Sequence, residues 1–270
     1  MAASHGFRNS GLVCGLQSEA RCLAEAGIGE RIAISGARTA RAGEVARELL
    51  AAGAESLLSI GLAGGLDPRL GPGSVVVAER VLAWHRPLPS EKRRSLRQSL
   101  ASSVLRPSDM GKERKQDIPT PAEVDAEFTA DGELRDQLLD RLGAKVLSGA
   151  VVGVDRAVRE PGEKLGLFEQ TAALACDMES HAVAEAAHEA GVPFAALRIV
   201  SDPSNRYIPV SALAGVTAAG GISAGAVIGA VALRPWEMID LLSLALDARI
   251  AFGSLRRVAR LAAPLFGAAG

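Results

Sequence analysis

The stretch ACDMESHAVAEAAHEAGVPFAALRIVSD, residues 175–202, decides the fold class. It opens on the end of an apolar run, ALAC (173–176), that stops at Asp177. A helix of small residues follows from Met178 to Ala190, closed by Gly191 with Pro193 just beyond. A second apolar run, FAALRIV (194–200), stops at Ser201 and Asp202. Continuous rather than alternating apolar character marks strands covered on both faces. Yet each of these strands releases carboxylates at its end, and a buried carboxylate without a partner is costly. Ligands of α/β sheets bind beyond the carboxyl ends of strands, so acids in that place mark a site.

The same alternation extends outward. GLVCG (11–15), RIAIS (31–35), SLLSIG (56–61), SVVVAERVLAW (74–84) and KVLSGAVVGV (145–154) read as strands. Ser18 to Ala26, Ala40 to Ala52, Asp131 to Leu142 and Glu163 to Gln170 read as helices. The pattern predicts an α/β fold, a three-layer sandwich whose central mixed, twisted sheet is covered by helices. Residues 1–234 form a single domain, and 235–270 form a C-terminal amphipathic helical extension. Beyond the strand ends fall Gly64-Gly65, Asp155, Asp177-Met178-Glu179 and Ser201-Asp202.

Bulk properties narrow the function. The chain has 270 residues, 48% hydrophobic, with a net charge of -1, so no global field draws nucleic acid or an anionic membrane. Aromatic residues at 3% are too few for a base-stacking surface. Three cysteines, Cys14, Cys22 and Cys176, give neither a disulfide framework nor a zinc knuckle and fit a reducing compartment. The start, MAASHGFRNSG, lacks the pattern of a signal peptide, so a cytoplasmic location is expected.

Three segments stand apart. Residues 86–122 are polar, basic and bounded by proline, a solvated insertion or else a lid or subunit contact. Tyr207 to Leu233 carries no charge, but its Ala, Gly, Ser and Thr content suits a helix packed on the sheet or on another subunit better than a membrane span. In the tail, Met238, Leu241, Leu242, Ala245, Phe252, Leu255 and Ala259 read as one apolar stripe. That stripe docks on the core or a neighbour, or rests on a membrane surface.

In SIGLAGGLDPRLGPGSVVV (59–77) the strand is expected to break at Gly61, leaving Ala63, Gly64 and Gly65 as a turn whose N–H groups bind an anion or sugar oxygens. It is neither a dinucleotide fingerprint nor a P-loop. Glu179 alone reads as a charge at a helix N-terminus, and Asp202 alone as a turn residue before Pro203. With Glu19 at the first strand-to-helix turn, they read together as a site.

These motifs, GLQSEA, IGLAGGLDPRLGPGSVVV, GVDRAV and the 175–202 stretch, resemble in order and spacing the purine nucleoside phosphorylase and methylthioadenosine/adenosylhomocysteine nucleosidase superfamily. The resemblance covers roughly residues 10–233 without the insertion. The tail RPWEMIDLLSLALDARIAFGSLRR and the form DMESHAVA are most similar to the hopanoid-associated nucleoside phosphorylase branch. That resemblance implies release of adenine from adenosylhopane in hopanoid biosynthesis. Methylthioadenosine or adenosylhomocysteine is the alternative substrate, and a non-catalytic nucleoside-binding or membrane-peripheral protein the alternative of another class.

The resemblance also implies roles. Asp202 is the acid at purine N7, positioned by Ser201. Glu179 accepts hydrogen bonds from the ribose hydroxyls while Met178 packs on the sugar. Glu19 activates water, Val158 meets the purine edge through its main chain, and Ala63 and Gly64 line the sugar side. A protonated Asp202 needs a partly desolvated setting. Two departures bear on the nucleophile. Leu62 stands where many relatives have Ser or Thr, and Ser59 where some phosphorylases have Arg. Inorganic phosphate therefore stays open as a co-substrate beside water, with Arg38, Arg156 and Arg198 as its remaining candidate ligands. No metal or other cofactor is expected. His181 and His188 read as packing or partly exposed residues. A homo-oligomer is expected, with contact to the inner membrane surface if the substrate is lipid-linked.

Overall fold

The computed structural model describes residues 7–29, 31–85 and 124–267; the insertion read at 86–122 lies outside them. The elements run β1 (Ser10–Cys14), α1 (Gln17–Ala24), β2 (Ile32–Ile34), α2 (Thr39–Ala51), β3 (Ser56–Gly65), β4 (Val75–Trp84) and β5 (Ala126–Thr129). Then come α3 (Gly132–Leu142), β6 (Leu147–Val154), α4 (Pro161–Thr171), β7 (Ala175–Asp177), α5 (Ser180–Ala190) and β8 (Phe194–Asp202). The described chain closes with α6 (Val210–Ala214), α7 (Ala224–Leu233) and α8 (Met238–Ala262).

All eight strands form one mixed sheet, ordered β2-β1-β3-β7-β6-β4-β5, with β8 pairing both β3 and β4. β3 runs parallel to β1 and β8 but antiparallel to β7, while β4 runs parallel to β6 and antiparallel to β5 and β8. The sheet is buried from both sides, as its continuous apolar strands require. On β8, Ala195, Leu197 and Ile199 join a cluster with α1, α3 and α8, whereas Phe194, Ala196 and Val200 join one with α2 and α5. The Ala-rich face of α5 (Ala182, Ala186, Ala187) lets that helix lie close to the strands.

Three sequence readings are corrected. β3 does not break at Gly61; it continues in register with β8 to Ala63, shifts by one residue, and pairs with β7 at Gly64 and Gly65. Gly61 serves a close approach instead, since a Cβ there would lie 2.8 Å from Glu19 Oε1. The uncharged 207–233 run is not one packed helix. Gly215 ends α6, Val216 bridges to Ile222, and α7 then presents no buried residue. No helix among the described residues is long and apolar enough to cross a membrane.

The tail stripe also divides. Ala251, Leu255, Val258 and Ala259 of α8 are buried in the core, but Met238, Ala245 and Leu242 are exposed. The carboxyl half of α8 lies over β8, α1 and α3, whereas its amino half, like α7 before it, leaves large apolar side chains exposed. The short edge strand β5, with alternating burial, carries no sequence signal beyond four residues.

Candidate active site

The carboxyl ends of β1, β3, β6, β7 and β8 converge on a cavity of about 400 Å³. All eight residues singled out for it line its wall: Glu19, Ala63, Gly64, Val158, Met178, Glu179, Ser201 and Asp202. Leu62 lines it too, but Ser59 and the three candidate arginines do not; no Arg or Lys among the described residues does. Three of the lining acids, Glu19, Glu179 and Asp202, are each at most 5% exposed.

Each acid is held differently. Glu19 sits in the first turn of α1, where its Oε2 accepts from the Leu16 N–H at 2.8 Å and its Oε1 from the Leu62 N–H at 2.7 Å. It thereby ties the β1–α1 turn to β3. Burial raises its pKa, and those two N–H groups oppose the rise.

Glu179 is free of the helix-capping duty that its position suggests. Asp177 performs that duty: Oδ1 accepts from the N–H of Glu179 at 2.7 Å and of Ser180 at 2.6 Å. Asp177 Oδ2 accepts from Ser180 Oγ at 2.6 Å and from Arg198 Nε at 2.9 Å. Burial alone would raise the Asp177 pKa, but Arg198 and these hydrogen bonds hold it below the ordinary value. Among the described residues, Glu179 accepts one side-chain hydrogen bond, from Ser35 Oγ at 3.3 Å. Burial, reinforced by the Asp177 charge, pushes its pKa up to about 8. Around one guanidinium, then, two carboxylates compete, and Asp177 holds the charge. Thr39 Oγ1 fixes the adjoining loop by donating to the Met178 carbonyl at 2.9 Å.

Asp202 closes β8. Its Oδ1 accepts from Ser201 Oγ at 2.6 Å, and Ser201 Oγ also lies 3.2 Å from the Ala63 carbonyl. Its Oδ2 accepts from Lys164 Nζ at 2.5 Å. Burial raises the Asp202 pKa, and Lys164 works against it. Lys164 is fully buried, and its other hydrogen bonds go to the carbonyls of Asp202, Pro203 and Arg206.

Sequence reading missed Lys164, although it shares one face of α4 with Leu167 and Thr171, a spacing that turns it inward. It also missed the partners of Arg198. Through Nε and Nη2 Arg198 donates to Asp177, Ser180 and Ser59, so Ser59 supports this arginine, which stands behind the cavity wall rather than in it. Arg156 pairs with Glu163 at 3.0 Å, and Arg38 is exposed at the start of α2.

The remainder of the wall is apolar: Ile208, Leu213, Val216, Ile222, Leu244 and Phe252. It comes from α6, α8 and the loops beside α6. Glu237 secures that region by accepting from the N–H and Oγ of Ser211, and Asp247 by pairing with Arg206 at 2.6 Å.

A family model described as the phosphorylase superfamily matches residues 22–212. Among solved structures, the 5'-methylthioadenosine/S-adenosylhomocysteine nucleosidase of Neisseria meningitidis, in complex with methylthio-immucillin-A, is similar to this chain with a TM-score of 0.61 and 18% identity. That match covers 94% of this chain and 98% of the other. The S-adenosylhomocysteine nucleosidase of Streptococcus pyogenes, in complex with 5-methylthiotubericidin, matches with a TM-score of 0.57 and 17% identity, over 96% of this chain and 98% of that one. At such identities the likeness is one of fold.

Proposed function

The chain belongs to the phosphorylase superfamily, as an enzyme of the nucleoside phosphorylase or nucleosidase kind, and we propose that its cavity cleaves the N-glycosidic bond of an adenine nucleoside. The observation that carries this reading is the trio of buried acids, Glu19, Glu179 and Asp202, around one cavity. As the bond from C1′ to the base breaks, its electron pair passes into the purine. Asp202 gives its proton to N7, and the base leaves neutral. Lys164 then faces the carboxylate that remains, at the oxygen it already touches. The ribosyl centre develops positive charge, which the carboxylate of Glu19 favours electrostatically.

We assign water as the nucleophile. Glu19 takes its proton as the oxygen bonds to C1′, giving adenine and a free ribosyl hydroxyl. A phosphate dianion would instead enter a wall that carries acids and, among the described residues, no cation.

The apolar part of the wall supports a large apolar 5′ substituent, of which adenosylhopane is the case implied by the sequence resemblance. Leu213 and Ile222 reach the surface from that wall, and Leu244 lies on α8 between exposed Leu242 and Leu246. On this reading the exposed face of α7 and α8 meets the lipid surface that holds such a substrate. The experiment is a series of 5′-substituted adenosines incubated with the purified protein, with adenine release measured by chromatography. The rate constant kcat/KM should rise with the apolar length of the substituent. A maximum at 5′-methylthioadenosine would instead assign the thio-nucleoside reaction.

A further inference from the structure

Asp155, which directly follows β6 and is not used by the reaction above, stands between two histidines. Its Oδ2 lies 2.9 Å from His85 Nδ1 at the end of β4, and its Oδ1 lies 3.4 Å from His181 Nε2 in the first turn of α5. One donor atom from each residue falls within 4.8 Å of the other two. His85 is itself anchored, since its N–H donates to Asp125 Oδ2 at 2.8 Å.

His181 supplies the independent clue. It is 3% exposed, yet among the described residues Nδ1 has no partner and Nε2 faces only the Asp155 carboxylate, 3.4 Å away and not placed for a hydrogen bond. Buried polar groups are nearly always satisfied, so an orphaned imidazole needs a reason. The ring is also placed deliberately: a Cβ on Gly153 would lie 2.1 Å from His181 Nδ1, so only glycine lets it lie across β6. That geometry turns Nε2 toward Asp155 and His85.

We propose that His85, Asp155 and His181 form a binding site for a divalent first-row transition metal ion of the zinc class. Two imidazole nitrogens and one carboxylate oxygen suit such ions, whereas magnesium and calcium favour oxygen shells. Ligands of a tetrahedral ion lie about 3.4 Å apart, so the donors close by on the order of 1 Å. His85 and Asp155, both exposed, can make that movement around the fixed His181. Water completes the coordination from the exposed side. His181 follows Glu179 by two residues and Asp155 precedes Val158 by three, so the ion clamps together two segments that line the cavity. The role is one of positioning.

The test uses tag-free, chelator-stripped protein titrated with Co²⁺ and Zn²⁺, following calorimetry, cobalt visible absorption and the thermal midpoint. One equivalent of metal should bind per chain, with a cobalt ligand-field spectrum and a raised midpoint. His85→Ala and Asp155→Asn, which alter exposed side chains, should each weaken binding at least about tenfold and abolish the midpoint shift. Absence of stoichiometric binding, or equal binding by both variants, overturns the proposal. These readouts do not depend on adenine release, so they stand or fall apart from the proposed reaction.

Discussion

At one end of the cavity Glu19, Glu179 and Asp202 are all but sealed from solvent, and each is held by identifiable groups; at the other, Leu213 and Ile222 come to the surface. The acid end is assembled where strands of one sheet end: Asp202 closes β8, Glu179 stands between β7 and α5, and Glu19 lies in the first turn of α1 after β1. The apolar end is assembled from α6, the loops beside it and α8, and next to it in the chain lie α7 and the start of α8. There Ile239 and Leu233 are 77% exposed and Trp236 is 72% exposed. The first region needs rigidity because proton transfer depends on distance. The second leaves an unusual number of large apolar side chains exposed, a feature that in a folded chain marks a place where something else binds. On the proposed reading, chemistry and substrate choice are separated along the cavity.

Substitutions at the acid end should have the larger effects. Asp202→Asn should lower kcat for adenine release by about 10² to 10⁴ while nucleoside affinity stays within a few-fold, a split that steady-state kinetics and calorimetry measure. Unchanged turnover would remove Asp202 from the chemistry. Next, Arg198→Met leaves Asp177 buried beside Glu179 without a cation. It should cost about 3–5 kcal/mol in a denaturant titration; a loss near zero would mean the pair contributes little.

Glu179→Gln separates the site's charge from its shape. In the folded chain the Glu179 pKa is about 8, above its ordinary 4.5. As pH rises the unfolded chain gives up this proton first, so the contribution to stability is full below about 4.5 and is lost as pH climbs to about 8. Denaturant midpoints across that window should fall with pH more steeply in the natural chain than in the variant. Equal slopes would mean that Glu179 is already ionised.

The apolar end should respond in substrate preference instead. Leu244→Ala should reduce discrimination in favour of long 5′ groups by about 1–3 kcal/mol in relative kcat/KM, with little change for a small substituent. Leu242→Ser, on the exposed side of the same helix, should alter stability by less than about 0.5 kcal/mol. A large stability loss there would show that the face is covered by another copy of the chain. Light scattering reads that oligomer directly, and a monomer at working concentration would count against the expected assembly.

The sequence disclosed the acid end because its information is local. Asp177-Met178-Glu179 and Ser201-Asp202 follow apolar runs, and the period of two on β8 sends Arg198 to the same side as Ala196 and Val200. What it concealed depends on partners distant in the chain. Gly61 looked like a strand breaker because Glu19, 42 positions earlier, was not known to press against it. Lys164 lies 38 positions from Asp202, and nothing between them signals the contact. His181 read as ordinary packing, and the paired Asp155 and His85 become visible only once β4, β6 and α5 are brought together. Along α8, one apolar pattern covers both a buried and an exposed half, and hydropathy alone cannot divide them.

The central claim is that Asp202 protonates the departing base, and it is tested most directly by changing the leaving group. The natural chain and Asp202→Asn should be compared on an adenine nucleoside and on p-nitrophenyl riboside, whose leaving group needs no proton. The account predicts a loss of about 10² or more on the adenine nucleoside and a rate within a few-fold on the nitrophenyl substrate. Equal losses on both would contradict it and leave Asp202 with a structural role.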